Sequence, residues 1–227
     1  MSTSAVLRSA AVLGASGLVG GCLLERLLED SGYASVLALT RRRLPRVHSK
    51  LRQQIVNFDR PKDLGEALRV HDVFCCLGTT AAKAGSRAAF YKVDFSIVYQ
   101  VAQAAREAGA DQFLLVSSIG AAPISQTYYL RVKGEIEQAL ATLEFPSLQV
   151  LRPSLLAGRR GEFRVGERAA LLIMSAVGPF LLGSWARYRP IRADAVAKAM
   201  VRIAKSAPRG VNVFESDRLA GYAAEKT

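Results

Sequence analysis

A glycine-rich turn near the amino terminus constrains the fold more than any other feature of this sequence. The apolar run Ala10–Leu13 leads into the motif GASGLVG at residues 14–20, which opens an amphipathic segment, Leu18–Leu28. Glycines in a strand–turn–helix unit let the backbone approach phosphate groups, and the unpaired N–H groups at the helix start attract an anion. In this setting the motif predicts a dinucleotide pyrophosphate site. The residues assigned to it are Gly14, Ser16, Gly17, Leu18, Val19 and Gly20.

Apolar runs of strand length alternate with segments of helical spacing along most of the chain. The predicted strands are Ala10–Leu13, Ser35–Leu39, Gln54–Asn57, His71–Leu77, Gln112–Val116 and Ser147–Leu151, and the predicted helices are Leu18–Leu28, Ala88–Glu107 and Tyr128–Leu143. This alternation predicts an α/β fold of the Rossmann type, a doubly wound parallel sheet with helices on both faces. No repeat or linker divides the 227 residues, so we expect a single domain over 1–227.

The end of the second predicted strand indicates which dinucleotide is bound. An NAD site places an acidic residue there, on the ribose 2′-hydroxyl, whereas this chain has Leu39-Thr40-Arg41-Arg42. Two guanidinium groups favour a 2′-phosphate, hence NADP(H). The alternative reading is a solvated turn.

A tyrosine–lysine pair indicates acid chemistry. Tyr129 and Lys133 are one helical turn apart, in a helix that follows the predicted strand ending at Val116. An ammonium group stabilises a phenolate, and the hydroxyl of Ser118 after the strand can polarise a substrate carbonyl. A second match to the same spacing, Tyr222 with Lys226, lies in the carboxyl-terminal tail and is interpreted as chance.

Together these motifs resemble the atypical short-chain dehydrogenase/reductases, most closely their Tat-interacting-protein-like subgroup. The resemblance rests on GASGLVG at 14–20, CLGTT at 76–80 with KAG at 83–85, VSS at 116–118 and YLRVKGE at 129–135, and it extends over nearly the whole chain. It implies a Rossmann fold with NADPH, in which Arg41 and Arg42 hold the 2′-phosphate and Asp59 lies near the adenine.

The same resemblance implies the remaining site residues. Leu77, Gly78 and Thr79 would follow the ribose on the nicotinamide side, and Ser118, Tyr129 and Lys133 would form the catalytic triad, with Lys133 also binding the ribose. Two positions depart from the pattern. Asp94 stands where the standard tetrad has asparagine, and residues 152–161 match no substrate signature, although substrate-side elements are expected mainly within 152–190.

The charge and cysteine content limit the partners and the compartment. The formal net charge is +12, and eight basic residues against one acidic residue lie between Arg41 and Lys62, beside the proposed cofactor phosphate. We therefore expect no specific nucleic-acid binding, since no recognition motif accompanies these cations. The three cysteines lack disulfide or zinc spacing, His48 and His71 lack ligand partners, and no secretory signal is evident, which predicts no metal and a cytoplasmic location.

An uncharged stretch of 18 residues, 169–186, reaches the lower limit of a membrane span, but Gly178-Pro179 interrupts it. We expect a buried or substrate-covering helix there. It would form either an apolar wall of the substrate pocket or a contact in a homodimer, so the protein is expected to be a monomer or a homodimer without a membrane span.

Two functions remain open at this stage. The first is an NADPH-dependent oxidoreductase that reduces a small carbonyl substrate by hydride transfer, with Tyr129 as proton donor. The second is a dinucleotide-binding sensor or interaction module with little catalysis, because a fold by itself does not imply a function. The triad favours the first.

Overall fold

Seven parallel strands form the main sheet of the computed structural model, which describes residues 7–58, 64–157 and 183–225. In chain order they are β1 (Arg8–Leu13), β2 (Tyr33–Thr40), β3 (Leu51–Ile55), β4 (Asp72–Cys75), β5 (Gln112–Val116), β6 (Ser147–Arg152) and, after two short strands, β9 (Gly210–Glu215). Their spatial order is β3-β2-β1-β4-β5-β6-β9. The short strands β7 (Leu156–Ala157) and β8 (Ile191–Arg192) pair with each other.

The helices connect these strands and cover both faces of the sheet. They are α1 (Leu18–Glu29), α2 (Ala81–Ala84), α3 (Arg87–Tyr91), α4 (Ile97–Glu107), α5 (Tyr128–Ala141), α6 (Ala193–Ser206) and α7 (Ser216–Ala224), with 3₁₀ turns at Glu66–Leu68 and Gly183–Tyr188. The strand order reverses direction between β1 and β4, which is where ligands bind in open parallel sheets, beyond the carboxyl ends of the strands. The predicted Rossmann-type fold is confirmed.

Two apolar clusters on opposite faces of the sheet form the core. Alternate residues of β1 belong to different clusters: Ala10 and Val12 face α1 and α6, whereas Ala11 and Leu13 face α4 and α5. This follows from the two-residue period of a strand that is covered on both sides. A buried acidic residue, Asp72, additionally joins the amino-terminal ends of several strands.

Two predicted elements differ in the structure. The strand predicted at Gln54–Asn57 runs instead from Leu51 to Ile55, because this edge strand is half-exposed and polar and lacks a clear apolar run. The helix predicted at Ala88–Glu107 is divided: α3 and α4 are joined by a π-helical turn, Lys92–Ser96. Helix α6, strand β9 and helix α7 were not predicted.

Candidate functional site

The glycine turn brings helix α1 against the end of β1 and opens its first turn to a ligand. Gly14 has a φ of +77°, and a Cβ there would lie 2.5 Å from the carbonyl oxygen of Cys76. A Cβ on Gly20 would lie 2.2 Å from the carbonyl oxygen of Gly14. Both positions therefore require glycine, one for backbone conformation and both for close packing.

The start of α1 fits an anionic group such as a pyrophosphate. Its N-cap, Gly17, supplies no side-chain hydrogen bond, and no acidic residue occupies the first turn. The N–H groups there and the positive end of the helix dipole are thus available. Ser16 and Gly17 are exposed, whereas the Val19 side chain is buried in the core, so only its backbone can face a ligand.

The end of β2, the strand that pairs with β1, carries polar and basic residues. Arg41, Arg42 and Arg43 are exposed, and within the described part of the chain no carboxylate pairs with any of them. The Thr40 hydroxyl is buried, and it has no hydrogen-bond partner among the described residues. Arg46, by contrast, pairs with Glu25 at 2.6 Å. The free cations and the orphaned hydroxyl fit a phosphorylated ribose.

The loop after β4 lies beside the glycine turn. The Cys76 N–H donates to the carbonyl of Leu13 at 2.9 Å, which holds the loop start against β1. Gly78 is exposed above a buried ion pair: a Cβ there would lie 3.4 Å from Oδ1 of Asp94 and 3.6 Å from Nζ of Lys133. Both distances are ordinary van der Waals contacts, so Gly78 lies directly over this pair.

Tyr129 lies near the start of α5, half-buried, with its ring 5.6 Å from that of Phe90. Its hydroxyl forms no hydrogen bond with any residue that the structure describes. The preceding Tyr128 differs, because its hydroxyl donates to the carbonyl of Arg87 at 3.0 Å and two guanidinium groups cover its ring. Of these two neighbouring tyrosines, only Tyr129 has a hydroxyl available for chemistry.

Lys133 is buried one turn further along α5 and forms an ion pair with Asp94, Nζ to Oδ1, at 2.8 Å. The other carboxylate oxygen of Asp94 accepts from the Thr79 N–H at 2.9 Å. Burial by itself lowers the pKa of Lys133, but the charge of Asp94 and then that of Tyr129 outweigh it, so the pKa ends above its ordinary value. Lys133 is therefore a stable ammonium group.

A further buried acidic residue, Glu137 on α5, was missed from sequence. The Ser117 hydroxyl donates to Glu137, and Arg152 at the end of β6 pairs with it through two nitrogens. This pairing commits Ser117 to structure and leaves the half-buried Ser118 as the candidate serine. A signal existed in the sequence, since Tyr129, Lys133 and Glu137 recur every four residues on one helix face.

Some predicted features lie outside the described residues. These are Asp59, most of the uncharged stretch 169–186, the middle of the substrate-side region 152–190, and Lys226. Tyr222, the other member of the tail match, packs edge-on against Phe214 with ring centroids 5.6 Å apart. Of the residues that the structure describes, none belongs to a helix long and apolar enough to span a membrane.

The chain as a whole is similar to several known proteins. The model of an NAD(P)H-binding family matches residues 14–171. Protein HTATIP2 of Rattus norvegicus is 36% identical over 86% of this chain and 80% of its own length. Protein FMP52, mitochondrial, of Debaryomyces hansenii is 36% identical over 86% of this chain and 87% of its own length.

Solved structures support the fold. The UDP-glucose 4-epimerase of Thermus thermophilus, in complex with NAD, superposes with a TM-score of 0.68 over 95% of this chain and 82% of its own. The identity is 15%, so this likeness concerns the fold alone.

The predicted cytoplasmic location is contradicted by the names of the fungal relatives. The Debaryomyces protein and further fungal relatives, at 34–39% identity, are all named mitochondrial. The prediction rested on cysteines without disulfide spacing and on the lack of a secretory signal, and neither observation distinguishes the cytoplasm from other reducing compartments.

Proposed function

Since the chain belongs to the NAD(P)H-binding family and is an atypical short-chain dehydrogenase/reductase of the HTATIP2-like group, we propose that it is an NADPH-dependent oxidoreductase. Its substrate is a small carbonyl compound, and Tyr129 is the proton donor. The observation that carries the proposal is the Tyr129 hydroxyl, which has no hydrogen bond to any described residue and lies one turn from the buried ammonium of Lys133, near the carboxyl end of β4.

The triad residues have separate roles in this proposal. Ser118 donates a hydrogen bond to the substrate oxygen and polarises the carbonyl group. Tyr129 gives its proton to the same oxygen as negative charge develops there. Lys133 orients the ribose and balances charge beneath the site. The bound dinucleotide supplies the hydride that adds to the carbonyl carbon.

The glycine turn and the arginine cluster hold the cofactor. The first turn of α1 binds the pyrophosphate through the N–H groups of Leu18 and Val19, because the Gly17 N–H already donates to the carbonyl of Gly14 at 2.8 Å. Arg41 and Arg42 bind the 2′-phosphate, and Leu77–Thr79 follow the nicotinamide-side ribose. Asp59 is proposed near the adenine, and the region 152–190 on the substrate side.

Cofactor choice tests the arginine assignment. Charge-assisted contacts to the 2′-phosphate should make NADPH bind at least tenfold more tightly than NADH, or about 1.4 kcal/mol. Titration of both nucleotides at one salt concentration measures this ratio, and equal affinities contradict the assignment.

Two variants test which residues cause the preference for NADPH over NADH. Arg41→Ala combined with Arg42→Ala should bring the two affinities close together, because the phosphate loses both guanidinium groups. The matched control is Arg46→Ala, whose guanidinium is already paired with Glu25, and it should retain the preference. A preference that survives the double substitution would assign the phosphate to other residues.

The reaction is tested with purified protein by NADPH consumption against aldehydes, ketones and quinones. Turnover of one of these, abolished or strongly reduced in Tyr129→Phe, supports a reductase. Bound NADPH with no turnover across the panel would favour the dinucleotide-sensing alternative.

A further inference from the structure

The connection from β3 to β4 leaves an open cavity on one face of the sheet. Helices α1, α4, α5 and α6 lie in the crossovers that follow β1, β4, β5 and β6. The described part of the β3–β4 connection contains only the 3₁₀ turn Glu66–Leu68. A cavity of about 590 Å³ lies between this connection and strands β1, β2 and β3. Its volume is typical of sites that bind small molecules.

This cavity is separate from the proposed cofactor crevice. It contacts Ser9 of β1, Ser35 of β2 and Arg52 of β3. These residues lie near the amino-terminal ends of three parallel strands. The glycine turn and Arg41 instead follow the carboxyl ends of β1 and β2. A ligand in the cavity would therefore occupy a second site.

Polar side chains line the cavity because of the register between β2 and the edge strand β3. Arg52 lies opposite Leu37, and Gln54 lies opposite Leu39. Residues opposite each other in paired strands share a face of the sheet, and Leu39 belongs to one of the two apolar core clusters. On β3 this apolar face thus continues as a guanidinium and an amide.

The charged side chains that line the cavity are unpaired within the described part of the chain. Arg52, Glu66 and Arg69 are exposed, and their side chains form no hydrogen bond or ion pair with any described residue. The same holds for the Ser35 hydroxyl and the Gln54 amide. Two cations, one anion and two neutral polar groups are therefore available to a ligand.

The balance of these groups favours an anion with an apolar body. Guanidinium groups bind the oxygens of carboxylates and phosphates through charge-assisted hydrogen bonds. The half-buried Leu37, Ala67 and Val70 supply apolar surface in the same cavity. Exposed cations beside half-buried apolar side chains match a ligand with a charged head and an apolar body.

We propose that this cavity binds a small organic anion, whose carboxylate or phosphate group contacts Arg52 and Arg69 and whose apolar part packs on Leu37, Ala67 and Val70. The inference goes beyond the proposed function, because it assigns a second ligand site at the other end of the strands. It does not depend on nucleotide binding or on carbonyl reduction.

Binding is tested on the full chain at neutral pH with benzoate and benzamide, which share a ring and differ in charge. Backbone amide signals in nitrogen-15 spectra locate each probe. Benzoate should shift the signals of Ser35, Arg52, Ala67 and Val70, and benzamide should bind at least about threefold more weakly. Equal affinities, shifts confined to the glycine turn, or no shifts at these four residues would each overturn the proposal.

Single substitutions test the two arginines. Arg52→Gln and Arg69→Gln should each weaken benzoate binding by about three- to tenfold, because solvent screens part of a charge-assisted contact at an exposed site. The matched control is Arg209→Gln, which removes the same charge from an exposed residue just before the opposite edge strand, β9. Its affinity for benzoate should be native, and equal losses in all three variants would overturn the proposal.

Two further measurements test the sign of the charge. Glu66→Gln should tighten benzoate binding by about twofold, because it removes the carboxylate that repels the anion. Raising the salt concentration should weaken benzoate binding in the native protein, so the test does not depend on the folding of a variant. Weaker binding in Glu66→Gln or indifference to salt would contradict an anion site.

Phenyl phosphate distinguishes the two kinds of oxyanion. It carries the same ring on a phosphate group, so its affinity relative to benzoate identifies which head group the two guanidiniums prefer. Tighter binding of either anion than of benzamide, at the same four residues, supports the site.

Discussion

Tyr129 is the residue at which the proposed chemistry can be tested most directly. Tyr129→Phe keeps the ring and its contact with Phe90 but deletes the hydroxyl that gives the proton. Turnover on an accepted carbonyl substrate should fall by about 100- to 10,000-fold, the usual contribution of general acid catalysis. NADPH affinity should be unchanged, and steady-state kinetics with a nucleotide titration measure both quantities.

Two further variants serve as comparisons for that result. Tyr222→Phe makes the same substitution in α7, where the Tyr222 ring packs against Phe214 of β9. Turnover and NADPH affinity should therefore both remain native. Lys133→Ala should weaken NADPH binding as well as turnover, because it removes the proposed ribose contact and leaves Asp94 buried without its cation. Full activity in Tyr129→Phe would contradict the short-chain-reductase mechanism.

At the scale of elements, Asp72 joins four strands at the amino-terminal edge of the sheet. Its buried carboxylate accepts from Arg8 Nε at 2.7 Å, the Tyr33 hydroxyl at 2.7 Å and Gln112 Nε2 at 2.6 Å. Asp72→Asn removes the charge opposite Arg8 and forces an amide into a site filled by donors. The free energy of unfolding should fall by about 2–4 kcal/mol, since Arg8 is only partly buried.

Urea unfolding of a matched pair of variants measures the Asp72 effect. Glu25→Gln breaks the exposed pair with Arg46, 43% and 53% exposed for Arg46 and Glu25, and should change the free energy of unfolding by no more than about 1 kcal/mol. An equal loss in the free energy of unfolding in Asp72→Asn and Glu25→Gln would show that the buried hydrogen bonds of Asp72 do not hold the strands together.

At the scale of the whole molecule, buried neutral acids should make the fold sensitive to alkaline pH. Burial raises the pKa of Cys75 from its ordinary 9.0 to about 11, and it also raises the pKa values of Cys76 and Tyr33. Between pH 9 and 11 the folded thiol keeps a proton that the unfolded chain has lost. The folded state binds more protons, so the free energy of unfolding falls as pH rises.

The size of the alkaline effect depends on how far burial raises the pKa of Cys75. Cys75 alone should remove about 1 kcal/mol per pH unit in that window. Denaturant unfolding at pH 8 and pH 10 measures the fall, and Cys75→Ala should lose less over the same interval. An identical fall in both proteins would remove Cys75 from the explanation, because the variant shares every other change in charge.

Features that depend on neighbouring residues were predicted from sequence. The glycine turn, the strand–helix alternation and the spacing of Tyr129 and Lys133 on α5 each follow from local backbone geometry. The tail match was interpreted as chance because nothing around Tyr222 repeated the context of Tyr129. The strand at the polar edge was misplaced, since half-exposed strands carry a weak apolar pattern.

Sequence alone thus determined the Rossmann architecture, the glycine turn between β1 and α1 and the tyrosine–lysine pair, because short-range periodicity and turn chemistry encode them. Only the tertiary structure decided that Asp94 balances Lys133, and that Glu137 engages Ser117 and Arg152. These pairs join residues far apart in the chain, and they form because the π-helical turn and β6 pack against α5. Buried charge must find a partner in space, and spacing along the chain does not indicate which one.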